Sequence, residues 1–289
     1  MFWQLFVIEN RKLIKRPMLW IELGALTVIV TMLFCLLYVA IRQSATQQTP
    51  ETMAAIKASL SWPQGLQQAL GMVAGNGLGG LLVIILVGAV TAQEYTWRTL
   101  HLMVSRGVPR TTLLSAKFAA TLMPALLIVL VALFSGGLVT GLLSLNLNGS
   151  LHADQVHWGQ LLLAVLRNTY TLLPYAGLAF MLAIATHSVA ATIGIALAYA
   201  LLIEGILVSL VLQFGGAVSK VLVYLPSSLA TGLLRLNQVS LSIGINTDNS
   251  MMPKMPWLEP VPAAIGIAVW ALIFFAVALL IFRRQDLTD

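Results

Sequence analysis

TAQEYTWRTLHLMVSRGVPRTTLLSAK, residues 91–117, carries Glu94, Arg98, Arg106, Arg110 and Lys117 in a chain that is only 9% charged, and long apolar runs flank it on both sides. An apolar run of about 20 residues is long enough to cross about 30 Å of hydrocarbon as a helix. The charged stretch is then a short connection outside the lipid. Counted the same way along the chain, six runs qualify, at approximately 18–41, 69–91, 116–142, 168–186, 188–212 and 261–282. The 289 residues are 59% hydrophobic with a mean hydropathy of +0.91, more apolar surface than a water-soluble core absorbs. The expected fold is an all-α membrane protein, a single transmembrane domain over 1–289 with six membrane helices.

Net charge is +6 and the pI near 9.7, but the basic residues gather at the edges of apolar runs instead of forming a groove, which speaks for membrane topology and against nucleic acid. Ten of the sixteen Lys and Arg, namely Arg11, Lys12, Lys15, Arg16, Arg98, Arg106, Arg110, Lys117, Arg283 and Arg284, fall on segments sharing one side with the N-terminus. Under the positive-inside rule both termini are expected in the cytoplasm. Residues 1–16 alternate Phe2, Leu5, Phe6, Ile8 and Leu13 with Gln4, Glu9, Arg11, Lys12 and Lys15, a pattern for a helix lying in the headgroup plane. On the outer side, 146–167 reads as a surface segment too short to cross, and the loop 213–260 holds VSKVLVYLPSSLATGLLRLN, expected as two short helices dipping into the outer leaflet.

Within the spans, Arg167 and Glu204 lie at similar distances from the turn at 186–188, so on straight helices their depths differ by only about 4–5 Å. A charge pair is expected, because a lone charge near mid-membrane costs at least about 2.5–3.5 kcal/mol. Glu22, one turn into the first span, reads as a boundary carboxylate near Lys15 or Arg16. Gly71, Gly75 and Gly79 recur every fourth residue and suggest a helix-contact face and candidate subunit interface; Pro124 and Pro174 are expected to kink their helices.

GNGLGG at 75–80 lacks both the Lys and the preceding strand of a phosphate loop. His152 and His157 are five apart with no Cys or carboxylate beside them, and Met251, Met252 and Met255 read as apolar loop residues before they read as a copper site. The lone Cys35 lies in an apolar run. With no catalytic or nucleotide-binding motif, no metal or cofactor is assigned to this chain, nor an enzymatic activity; ATP-driven transport would need its ATPase on another polypeptide.

In Glu94-Tyr95, Thr99-Leu100, Ser105-Arg106, Arg110-Thr111 and Lys117 the chain resembles the membrane subunits of type 2 ATP-binding-cassette transporters. The likeness extends to the amphipathic N-terminal helix, the tight turn between the fourth and fifth spans, and LPSSLATGLL before the last span; Arg98 departs from it, standing where many relatives have a small residue. The resemblance implies an export permease of a prokaryotic cytoplasmic membrane that pairs with itself or a homologue and binds two ATPase subunits, which carry ATP and Mg²⁺. Residues 92–114 would be the cytoplasmic coupling segment, with a coupling helix over 94–112. Glu94, Tyr95, Arg98, Thr99, Arg106, Arg110 and Lys117 would be its working residues, Arg106 and Arg110 meeting acidic groups or phospholipid headgroups. The alternatives are a stand-alone secondary transporter or channel, and a non-transporting scaffold or immunity protein.

Overall fold

A computed structural model describes residues 1–43, 57, 60–97, 99–105, 107–149, 151, 154, 156–208, 221–237 and 258–285. Arg98, Arg106, His152 and the three loop methionines lie outside these. The described residues build helices and no strand. Six stretches are long and apolar enough to cross a membrane: Pro17–Ala40, Leu78–Thr96, Arg110–Asn146, Trp158–Thr186, Val189–Ile206 and Pro260–Arg284. The protein is an all-α, multi-pass membrane protein. Outward faces carry bare apolar side chains, with Ile21 71%, Phe134 74% and Val261 71% exposed, as a surface solvated by lipid tails requires.

Helix α1 (Phe2–Lys15) precedes the first span, α2 (Pro17–Gln43), with Pro17 at the junction. The run expected as one helix from residue 69 is divided into α3 (Gln64–Met72) and α4 (Leu78–Thr96). The glycines cause the break. Gly75 takes φ +52°, a backbone state that side chains with a Cβ disfavour, and a Cβ on Gly79 would lie 2.1 Å from the Val73 carbonyl. Gly71, Gly75 and Gly79 therefore share no helix face, and the expected contact stripe is replaced by a turn whose Gly75 N–H donates to Thr171 Oγ1 at 3.2 Å.

A short helix α5 (Thr99–Ser105) leads to α6 (Arg110–Ala120) and α7 (Leu122–Asn148), which share the third span and part at Thr121, just before Pro124. Span four is α8 (Trp158–Thr171) and α9 (Leu173–Thr186), parted at Leu172 beside Pro174. Both prolines act as expected, since each removes an N–H and crowds the preceding turn. The surface segment expected over 146–167 is corrected here: from Trp158 it is the start of the fourth span. Span five passes from α10 (Val189–Ala198) into a π-helix, Tyr199–Leu207. Helix α11 (Pro226–Leu234) and a 3₁₀ turn (Arg235–Asn237) precede the last span, α12 (Pro260–Arg284).

Helix α9 is the hub, packed on α4, α10 and α12. Helix α2 lies on α7, α3 also on α7, and α1 on α6. The ends of α4 and α12, the start of α6, α1 and the α9–α10 turn meet at one end of the bundle, called proximal below; α3, the start of α8 and the 3₁₀ turn lie at the distal end.

Candidate functional site

At the proximal end the charges of the opening segment fold inward. Helix α1 turns Leu5, Glu9 and Leu13 toward α6, a stripe spaced by four with a carboxylate at its centre. Leu5 packs with Leu100, Leu113 and Ala116, which fastens both α1 and the short α5 to the body. Glu9 thereby reaches Lys117, whose Nζ donates to Glu9 Oε2 at 2.8 Å and also to Glu94 Oε2. All three side chains are at least nine-tenths buried. Lys12 caps the group from the rim, 2.8 Å from Glu9 Oε1 and 3.9 Å from Glu94 Oε1, while Arg16 Nη2 also stands 3.9 Å from Glu94. Burial, the largest influence on Glu9, opposes its charge. The Lys117 ammonium, its hydrogen bond and Lys12 together outweigh that and hold the carboxyl below the usual carboxylate range.

The residues around this knot are engaged as well. Tyr95 donates from its hydroxyl to Gln285 Oε1 at 3.2 Å and lays its ring 4.3 Å from that of His187. Gln285 Nε2 donates to the Ile184 carbonyl at 2.9 Å, so the C-terminal end of α12 is tied to the end of α9. Arg110 Nη1 donates to the carbonyls of Phe282, Arg283 and Gln285 at 3.3, 3.2 and 2.9 Å, capping α12, whose last carbonyls have no partner within the helix. Thr99 Oγ1 donates to the Glu94 carbonyl at 3.3 Å.

Two expectations change accordingly. A single coupling helix over 94–112 is replaced by the end of α4, the seven-residue α5 and the start of α6. Glu94 and Lys117 are interior, and Arg110 spends its guanidinium on α12 instead of facing outward to acidic groups or lipid headgroups. The segment does bring Glu94, Tyr95, Thr99, Arg110 and Lys117 into one neighbourhood. Glu9, Arg16 and Gln285 join them from distant parts of the chain. Of these, only Glu9 left a signal in the sequence, its place midway along the apolar stripe of α1. A cavity of about 30 Å³ opens beside Lys117, lined by Glu9, Thr91, Glu94 and Thr121; it is far too small for cargo.

The expected Arg167–Glu204 pair does not form. Arg167 Nη1 donates to Asn237 Oδ1 at 2.9 Å and to the Leu236 carbonyl at 3.3 Å. Glu204 Oε2 accepts from the Tyr175 hydroxyl at 2.5 Å, and the Tyr199 hydroxyl and Ser227 Oγ border the same carboxyl without reaching hydrogen-bond geometry. The depth comparison assumed straight helices. The break at Leu172 and the wider turn of the π-helix send the two side chains elsewhere. Glu22 likewise finds neither Lys15 nor Arg16, and both its buried oxygens are without a partner among the described residues.

No curated protein matches the chain. A family profile matches residues 64–288, and the chain belongs to that family, described as proteins of unknown function, DUF2705. The matched region holds Glu94 and Lys117, the Arg110 cap, Arg167 and Glu204, and excludes α1 with Glu9.

Proposed function

We propose that this member of the DUF2705 family is the membrane-spanning permease subunit of an ATP-driven exporter, worked by separate ATPase subunits and paired with a second permease chain. The observation that carries the reading is the seat of α5. This short helix hangs between the ends of two spans, pinned by Leu100 to Leu5 and Leu113, directly beside the Glu9–Lys117–Glu94 knot. A push on α5 is thus delivered to α1, α4 and α6 together, and through Arg110 to α12. That is the mechanical requirement on a lever moved by a soluble partner. The proximal end would face the cytoplasm, where ATP is available.

The test is co-purification of the tagged chain with the ATPase encoded beside it, followed by Arg98→Glu with Arg106→Glu. The expected result is recovery of an ATPase with the parent chain and its loss with the doubly reversed variant. Recovery of no ATPase, or recovery indifferent to the reversal, refutes the proposal. A gradient-driven transporter is the competing reading, favoured by the buried Glu204 on a π-helix facing two tyrosines. Transport that stops on collapse of the proton gradient but survives ATP depletion would select it.

A further inference from the structure

At the distal end, between α3 and α8 and beneath the 3₁₀ turn, lies a cavity of about 310 Å³. That is the lower end of the range for small-molecule sites, about 300–1,000 Å³. Its polar lining is Gln67, His157, Gln160, Arg167 and Asn237, and no carboxylate is among the described lining residues. Every one of these side chains can donate a hydrogen bond, and one is a permanent cation.

Two details aim this set at an anion. Arg167 meets only neutral acceptors, the Asn237 side chain and the Leu236 carbonyl, and makes no ion pair among the described residues. Asn237 is 7% exposed; because its Oδ1 accepts from Arg167, its Nδ2 points the other way, buried and with no partner among the described residues. A buried donor left unpaired destabilises the fold, and an incoming acceptor oxygen would remove that cost.

The remaining wall identifies the bearer of that anion. Leu66, Leu70 and Leu161 line the cavity, and Leu163 and Leu236 at its edge are 48% and 49% exposed. The apolar part of the cavity runs out onto α8, where Leu162 and Leu166 are bare, and so onto the surface that meets lipid tails. Trp158 stands 61% exposed at the start of the same helix, as aromatic residues do at the headgroup level.

We infer that this cavity is a binding site for an acidic phospholipid, with the phosphodiester held by Arg167 and the Asn237 amide and the first acyl carbons laid along Leu161 and Leu163. The inference goes beyond the transporter reading and does not need it. Its test contains no ATPase, so either idea can fail without the other.

The test uses the full chain, delipidated in a neutral detergent. Thermal unfolding is followed while short-chain phosphatidylglycerol, phosphatidylcholine of matched chains, or inorganic phosphate is added. Phosphatidylglycerol is expected to raise the midpoint in a saturable way, and the other two to raise it less: the trimethylammonium of phosphatidylcholine meets donors and the Arg167 cation, and inorganic phosphate has no acyl carbons. Arg167→Gln should weaken the apparent affinity about tenfold or more, as loss of a charge-assisted hydrogen bond does, and Gln160→Leu by less. Equal effects of phosphatidylcholine, an effect of inorganic phosphate matching that of the lipid, or an Arg167→Gln protein with unchanged affinity would each overturn the site. Should Arg167→Gln not fold, the three additions to the parent chain and the Gln160→Leu protein decide the matter by themselves.

Discussion

Replacing Lys117 with Met is expected to be among the most damaging single changes in the molecule. Methionine keeps the length and apolar stem of lysine, so packing against Ala120 and Thr121 changes little. The ammonium that serves two carboxylates is lost. Glu9 retains Lys12 at 2.8 Å, but Glu94, whose side chain is 4% exposed, keeps among the described residues only Lys12 and Arg16, each at 3.9 Å. Removing one member of a buried pair costs about 3–5 kcal/mol, since the other charge stays desolvated. The Lys12–Glu9 contact is different: Lys12 is 33% exposed, and solvent-screened pairs contribute about 0.2–1 kcal/mol. A double-mutant cycle separates these. With Lys117→Met and Glu94→Gln, reversible unfolding in mixed micelles of rising SDS content, followed by circular dichroism, should return a coupling of about 2 kcal/mol or more. The cycle of Lys12→Met with Glu9→Gln should give less than about 1 kcal/mol. Equal couplings in the two cycles, or a Lys117→Met cost below about 1 kcal/mol, would mean that water reaches the group and that it is no anchor.

Acid should loosen α1: Glu9 titrates lower in the folded protein than at its reference value of 4.5, so its contribution is complete above that pH and fades as the pH falls through the folded value. Hydrogen-exchange protection in α1, taken relative to the intrinsic rate at each pH, should therefore fall below about pH 4.5 in the parent chain and show no such step in Glu9→Gln. Arg110→Ala should uncap α12 and speed amide exchange over its last turn at a cost of about 1–3 kcal/mol, with α2 unaffected. Arg167→Gln and Glu204→Gln should be additive in stability within about 0.5 kcal/mol, because the two groups bond to different partners; a larger coupling would restore the pair. Tyr175→Phe should destabilise Glu204 variants less than the parent chain, since its hydroxyl then has no carboxyl to serve.

The six spans were legible because lipid acts on each segment separately: about 20 apolar residues suffice to cross it, whatever the neighbours are. Pro124 and Pro174 were legible for the same local reason. Gly71, Gly75 and Gly79 were not. Spacing by four on a helix is a contact stripe only where the helix continues, and the same glycines permit the turn that ends it. The start of the fourth span was misplaced because Gln160, Arg167 and Asn168 dilute its hydropathy. In the fold Asn168 Nδ2 donates to the Ala164 carbonyl and Arg167 to Asn237, so each side chain places a donor on a protein acceptor beside an apolar surface.

The charged residues carry the larger lesson about this fold. A count of Lys and Arg treats each as a marker of an aqueous side, and Lys12 and Lys15 do reach the surface of the bundle. Glu94 and Lys117 obey another rule: each lies where a span meets the interface, and each is buried by α1, an element that precedes them by roughly 80 to 110 residues. Sequence spacing alone cannot report such a meeting, because the partner's depth is set by how α1 docks on α6. The docking is itself set by Leu5 and Leu13, so the apolar stripe and the ion group depend on each other. Removing Leu5 should therefore weaken the ion group without touching a charge. If Leu5→Ala leaves the Lys117–Glu94 coupling intact, the pair is held by α4 and α6 alone, and α1 is a passenger at this end of the bundle.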